Sequence, residues 1–361
     1  MNTSQHVLYI GSYASADQPG IYVCTFDDTT GELGVRGSFA GVTNPSFLVV
    51  HPNGRSLYAV SETNQQKDGT PGTVWAFRRI HESWSIEPLN HQLSGGDLPC
   101  HLEIDASGRW LLVSNYGSGS VGVLPILADG TLGEMTDLDQ HYGNGPHPER
   151  QEGPHAHSAT FTPDQRFTIV ANLGTDELRV YAFDPAAGRL HMHTRTSTHA
   201  GAGPRHKVFH PSGQRVYVAN ELDNTVAVYN YNAAQGKLSE RQIVETLPPT
   251  APENIVADIH ISPAGDRVYV SNRGHDSITI FEVETDGRLA RIAIRSCGGR
   301  WPRNFAIAPG NRFLVVANQQ SDEVAVLPVR DDAEALGAPI ARIPIAEGTC
   351  VHFERNIFNK R

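Results

Sequence analysis

A chain of 361 residues with 29 Lys and Arg against 39 Asp and Glu carries a formal charge of −10, which argues against a general nucleic-acid or anionic-membrane binder. It contains no run of about 18 apolar residues, so a membrane-spanning helix is not expected, and its opening MNTSQHVLYIGSY lacks the basic and apolar segments of a secretion signal. Four scattered cysteines, Cys24, Cys100, Cys297 and Cys350, form no C-x-x-C pair; that suits neither a disulfide framework nor a zinc ribbon and fits a reduced, cytoplasmic protein.

With 34 Gly and 23 Pro spread along the chain, the turn formers point to many short strands. VLYIGSY (7–13) and GIYVCTF (20–26) read as the first two. A longer unit then recurs at steps of about 50 residues: an apolar stretch, a turn ending in Arg, a second apolar stretch, then a small and a polar residue. Its copies are FLVVHPNGRSLYAVSE (47–62), LEIDASGRWLLVSNY (102–116), ATFTPDQRFTIVANL (159–173), VFHPSGQRVYVANE (208–221), IHISPAGDRVYVSNR (259–273) and FAIAPGNRFLVVANQ (305–319). The stretches are short and rich in Val, Ile, Leu, Phe and Tyr, which is a strand signature. Each copy is followed by a third strand, as in GTVWAFRR or SITIFEV, and by a turn leading to a fourth. Repeats of this length with four strands are propeller blades. One first strand is missing from the N-terminal unit, and GTCVHFE (348–354) supplies it. The expected fold is therefore all-β, a seven-bladed β-propeller with four antiparallel strands per blade. Residues 1–361 form one domain, and the closing blade is shared between the N- and C-termini. No helical period exceeds two turns.

A blade's first and second strands form a hairpin, so one face of the ring carries the P-x-G-R-type turns and the other carries the strand ends nearest the axis. His51 to Arg55, His210 to Arg215 and Pro263 to Arg267 belong to the turn face and read as scaffold. Asp176, Asp223, Asp276 and Asp322 recur at third-strand starts and read as turn and inter-blade hydrogen-bonding groups. The opposite mouth collects His101, His155, His157, His206, His260 and His352, Arg205, Arg273 and Arg303, Glu62 and Glu221, with Asn318 and Gln319. The longest loops, 61–72, 139–155 and 245–258, fall on the same side. Converging arginines suit an anionic substrate; histidines suit proton transfer. The alternative is a water-filled channel mouth lined by hydrogen-bonded polar residues.

Other signals are weaker. Gly117, Gly119 and Gly122 match G-x-G-x-x-G but precede a strand, where no helix N-terminus exists to hold a pyrophosphate. The chain has no G-x-S-x-G elbow. His155 and His157 with His101 or His206 have the residue types of a zinc site, but the nearby arginines would repel a cation, so neither a metal nor another cofactor is expected.

The stretches HPERQEGPHAH (147–157), GPRH (203–206) with Asn220-Glu221, SNRGH (271–275) and PRNF (302–305) with ANQ (317–319) resemble the bacterial seven-bladed propeller lactonases. That family includes 6-phosphogluconolactonases and is related to carboxymuconate-lactonising enzymes. The resemblance spans essentially the whole chain. It implies hydrolysis of a phosphorylated sugar lactone in the pentose phosphate pathway without an obligatory metal. It also implies a catalytic group of His155 or His157, Arg205, Glu221 and Arg273. His101, His206, His260, Arg303, Asn318, Gln319 and Glu62 are then expected around the substrate. The partner is a small anionic lactone, with no nucleic acid or membrane, and the protein is expected to be a monomer or weak homodimer. Asn172 departs from the family's usual Asp-Leu-Gly and is expected on the rim, where it would bear on substrate choice. Two alternatives stay open: a carboxymuconate-type cycloisomerase and a non-catalytic ligand-binding propeller. The G-H…W-D signature of interaction propellers is absent.

Overall fold

The computed structural model describes residues 4–354 as seven four-stranded antiparallel sheets arranged in a ring. Blade 1 takes its innermost strand, Gly348–Phe353, from the C-terminal end and the other three from Gln5–Ser12, Ile21–Asp27 and Leu33–Phe39. Blades 2 to 7 follow in order at 48–93, 99–140, 156–197, 204–245, 255–296 and 302–344. Helix is limited, among the described residues, to one turn at Gln65–Asp68 and two 3-10 turns, Leu173–Thr175 and Gln319–Ser321.

The core is divided. Seven buried apolar clusters lie one at each blade interface. Leu8, Ile10 and Phe26 of blade 1, for example, pack on Phe313, Val315 and Val324 of blade 7. Both faces of each sheet are covered by neighbours, so the two middle strands read as continuous apolar runs. This layout leaves the axis to the innermost strands.

The repeated hairpin turn explains its own sequence. Gly54, Gly108, Gln165, Gly213, Gly265 and Asn311 occupy the same place in six turns and all have φ between 56° and 79°. Gly and Asn tolerate this left-handed conformation best, which is why the turns are legible. Three of the four third-strand aspartates tie to the next blade; Asp223 instead bonds His199 and Thr225. Asp176 accepts from Gly203 N at 2.8 Å, Asp276 from Trp301 N at 2.8 Å and Asp322 from Glu347 N at 2.8 Å. Each ties its blade to the start of the next.

Gly117 and Gly119 lie in the hairpin turn between Trp110–Asn115 and Ser120–Pro125, and Gly122 lies in the second of these strands. At Gly119 an added Cβ would lie 2.2 Å from Pro154 O. The glycine is there to let the long 141–155 loop press against the blade.

Candidate active site

The mouth side chains are aimed by a repeated irregularity. Pairing of the first two strands slips between Pro99 and His101, Ala156 and Ser158, Pro204 and His206, Val256 and Ile259, and Pro302 and Asn304. The residues skipped are Cys100, His157, Arg205, Ala257 with Asp258, and Arg303. A β-bulge bends the strand and redirects the extra side chain. Here it does so in one blade after another, at the same end of the channel.

Glu221, 2% exposed, is the centre of one group. Its Oε2 lies 2.8 Å from Arg205 Nε and 2.9 Å from Arg273 Nη2, and Arg150 Nη2 bonds Oε1. Arg205 Nη1 also donates to Ala257 O at 2.5 Å and Arg273 Nη2 to Val256 O at 2.9 Å. The Arg273 guanidinium sits 5.7 Å from the Trp301 ring centre. Burial would raise the Glu221 pKa, but Arg273, Arg205 and Arg150 together hold it far below the carboxylate range. Glu221 is thus a permanent anion shared by three arginines. That suits it to orient them and makes it a poor proton acceptor.

The histidines divide by their partners. His155 has both ring nitrogens engaged, Nδ1 at 2.8 Å from Tyr116 O and Nε2 at 3.3 Å from Glu152 Oε1. Its ring stacks on Tyr116 at 4.3 Å, and Tyr116 OH accepts from Arg150. His157 instead has Nε2 facing Glu221 Oε2 at 3.9 Å and Nδ1 3.8 Å from Cys100 Sγ. Burial pushes the Cys100 thiol far up, so it is no thiolate. His101 and His206 pack at 5.5 Å and His157 and His206 at 5.3 Å, ring to ring. His101 Nδ1 and His206 Nε2 have no partner among the described residues.

Below them Asp258 accepts from His206 Nδ1 at 2.8 Å, His260 Nε2 at 2.9 Å and Asn304 Nδ2 at 2.6 Å. Burial pulls His101 and His157 well below 6.5 and His206 to about 4, and the neighbouring charges of Arg205 add to this for His157 and His206. His260 goes the other way: burial opposes its charge, but Asp258 outweighs it.

On the far side of the axis, Arg303 Nη2 donates to Tyr13 OH at 2.7 Å, and Tyr13 OH donates to Glu62 Oε1 at 2.9 Å. Ser46 Oγ bonds the other Glu62 oxygen. The mouth therefore holds four guanidiniums, Arg150, Arg205, Arg273 and Arg303, against three carboxylates, Glu221, Glu62 and Asp258, the last paired with His260. With the three imidazoles neutral this leaves a local positive excess on a chain of net charge −10.

Two expected residues stay apart from these groups. Asn318 Nδ2 donates to Cys297 O at 3.2 Å, just past the outer strand of blade 6. Its counterparts Asn115, Asn220 and Asn272 bond Ser or Thr hydroxyls of their own blades. Gln319 lies in a 3-10 turn with its N–H on Trp301 O. Asn172 is not on an open rim. It is fully buried, accepts from His155 N at 2.9 Å and donates to His141 Nδ1 at 2.7 Å. Burial drives His141 down to about 3, so its Nδ1 is an acceptor and an amide, unlike a carboxylate, has the N–H to meet it. Arg150 is a member that sequence reasoning left out of the site; Tyr13 and Ser46 fall at strand ends around the mouth in the sequence but carried no assigned role there. Arg150 lies inside the quoted HPERQEGPH stretch, so that signal was present. Among the described residues no group of three His, Cys, Asp or Glu is placed to hold a metal ion, and no helix is long and apolar enough to cross a membrane.

The titration of these groups has a sign. A histidine with a depressed folded pKa binds its proton more readily in the unfolded chain, so His101, His157 and His206 cost stability as pH falls from ~6.5 toward 4. Glu221 and Asp258, both held low, add a loss as pH falls below ~4. The expected result is turnover that stays level between pH 6 and 8, and a melting temperature that is level above pH 7 and declines steadily as pH falls through ~6.5 toward 4. Thermal melts and a pH–rate profile corrected for spontaneous hydrolysis check this; a turnover inflection near ~6.5, or a melting temperature unchanged between pH 7 and 5, would contradict it.

A family model described as "Lactonase, 7-bladed beta-propeller" matches residues 7–353. The chain is 34% identical over 355 residues to a 6-phosphogluconolactonase of Bacillus subtilis, covering 97% of this chain and 99% of that protein. It is 33% identical over 345 residues to a 6-phosphogluconolactonase of Formosa agariphila, covering 91% and 93%. Among solved structures, a putative 6-phosphogluconolactonase from Bacteroides fragilis superposes with TM-score 0.90 at 32% identity, covering 98% and 99%. A periplasmic gluconolactonase of Pseudomonas aeruginosa superposes with TM-score 0.91 at 30% identity, covering 98% and 99%. With a ring of seven four-stranded blades and a full-length match to relatives of this kind, the chain belongs to the seven-bladed β-propeller lactonase family.

Proposed function

We propose that the protein hydrolyses a sugar δ-lactone bearing an anionic group, with 6-phospho-D-glucono-1,5-lactone as the foremost substrate. The observation that carries this reading is the positive excess at the mouth, with three arginines locked on Glu221 and Arg303 paired, among the described residues, to no carboxylate. The relatives named as gluconolactonases and 6-phosphogluconolactonases support the substrate class.

His157 Nε2 accepts a proton from water as the water oxygen attacks the lactone carbonyl carbon. Arg205 and Arg273, held by Glu221, receive the negative charge that develops on the carbonyl oxygen. The 3.9 Å approach of His157 Nε2 to Glu221 becomes favourable once the imidazolium forms. When the tetrahedral intermediate collapses, the bond between the carbonyl carbon and the ring oxygen breaks. The ring oxygen leaves with the proton from His157 as a hydroxyl, and the product is the open-chain acid. Arg303 holds the phosphate. His155 stacks on Tyr116 and so steadies Arg150, which is a positioning role.

A coupled assay of lactone hydrolysis tests the reading. Arg205→Ala and His157→Ala are each expected to lower kcat/KM by ~10²-fold or more, with a carboxylated muconate serving as the competing substrate. If both variants keep wild-type lactone hydrolysis, the assignment is wrong.

A further inference from the structure

Blades 4, 5 and 6 carry the Glu221 group, while blades 7, 1 and 2 carry a second one on the opposite side of the ring. Tyr13 follows Gln5–Ser12, Ser46 precedes Leu48–Val50, Glu62 follows Ser56–Ser61, and Arg303 occupies the blade 7 bulge. The hydrogen bonds run in one direction: Arg303 to the Tyr13 oxygen, then the Tyr13 proton to Glu62. The guanidinium carbon also lies 5.1 Å from the Tyr13 ring centre. Among the described residues no carboxylate is within ion-pair distance of Arg303, whereas Arg150, Arg205 and Arg273 are all paired to Glu221. An arginine and a glutamate this close would ordinarily form a direct, bidentate pair. The phenol oxygen takes up the position where they would meet. Ser46 anchors the glutamate from its other oxygen, which keeps it from swinging past the phenol.

Ser46, Arg303, Arg205 and His206 line one small axial pocket, with Arg303 on one wall and the proposed oxyanion donor on the other.

We infer that Tyr13 is a spacer. It holds Arg303 in place while preventing Glu62 from neutralising it, so that the remaining guanidinium N–H groups select the anionic substituent, phosphate or carboxylate, of the lactone. Tyr13 is a positioning residue and touches no reacting atom. The inference rests on the lactonase reading and assigns the specificity of the same site.

The spacer makes a prediction that a simple structural role does not. In Tyr13→Phe the hydroxyl is gone and Glu62 closes on Arg303. The ratio of kcat/KM for 6-phosphogluconolactone over gluconolactone is expected to fall at least tenfold, through KM of the phosphorylated substrate. Adding Glu62→Gln removes the charge that closes on Arg303, and the double variant is expected to regain most of the ratio. An unchanged ratio in Tyr13→Phe, or a double variant no better than the single, would overturn the spacer. If Tyr13→Phe does not fold, Glu62→Gln alone reads the same relation: its preference for phosphorylated ligand is expected to hold or rise, and a fall counts against it. Calorimetric titration with 6-phosphogluconate, gluconate and the dicarboxylate glucarate measures selectivity without turnover, and separates a phosphate reader from a general anion reader. Retained selectivity in a protein that turns over no lactone would sink the lactonase reading and leave the spacer intact.

Discussion

Replacing Glu221 by glutamine is expected to lower kcat/KM on the lactone by ~10³-fold and to destabilise the fold by about 3–5 kcal/mol. The amide keeps the volume and removes the charge. Arg205 and Arg273, 2% and 4% exposed, then face each other and Arg150 without the carboxylate that paired all three. The cost arises because guanidiniums already stripped of water lose the anion that made burial tolerable. Turnover falls for a related reason: donors held on one carboxylate oxygen at 2.8 and 2.9 Å are no longer fixed before the carbonyl oxygen acquires charge. Arg150→Met should be milder, because Arg150 is a third exposed and the other two contacts survive. Steady-state kinetics with denaturant titration separates the two effects. A Glu221→Gln enzyme with wild-type turnover would remove Glu221 from any organising role.

Arg79→Met is expected to be the most damaging change away from the mouth, costing about 3–5 kcal/mol. Arg79, in Thr73–Ile80 of blade 2, binds both oxygens of Glu354 at 2.9 and 2.5 Å, and also bonds Tyr9 OH and Gly54 O. Glu354 directly follows the C-terminal strand that completes blade 1. One side chain therefore fastens blade 2, the N-terminal strand and the C-terminal strand at the seam of the ring. Removing it leaves a largely buried carboxylate unpaired, and the seam is where the ring is held only by non-local pairing. Arg78 provides the internal control. Its pair with Glu87 is 3.9 Å long and over half exposed on both sides, so Arg78→Met should cost no more than ~1 kcal/mol. Urea unfolding of the two variants side by side checks the contrast; equal losses would show that the seam is not closed by this pair.

Arg78 and Arg79 also show why some of this molecule was legible and some was not. Both sit in one strand of the quoted GTVWAFRR, and nothing in the sequence ranks them. Strand alternation turns one to solvent and the other into the seam, so the difference is decided by what packs there. The same holds at the mouth. Asn318 and Arg303 both lie at strand ends in blade 7, yet the asparagine bonds the segment that leaves blade 6 while the bulge turns the arginine to the axis. Asn172 carried a family departure that looked functional, and its environment is a buried hydrogen-bond node behind His155.

The sequence alone determined the repeat, the number of blades, the shared closing blade and the end of the channel where polar chemistry collects. Those features follow from local rules: apolar period, the left-handed residue in each hairpin turn, and the length that four strands need. The resemblance had also grouped Arg205, Glu221 and Arg273, and they do meet. Only the tertiary structure added Arg150 to that group from a distant loop, and set Tyr13 between Arg303 and Glu62 from opposite ends of the chain. Contacts across such separations depend on ring closure and on a one-residue slip in strand pairing, and neither leaves a mark in local sequence.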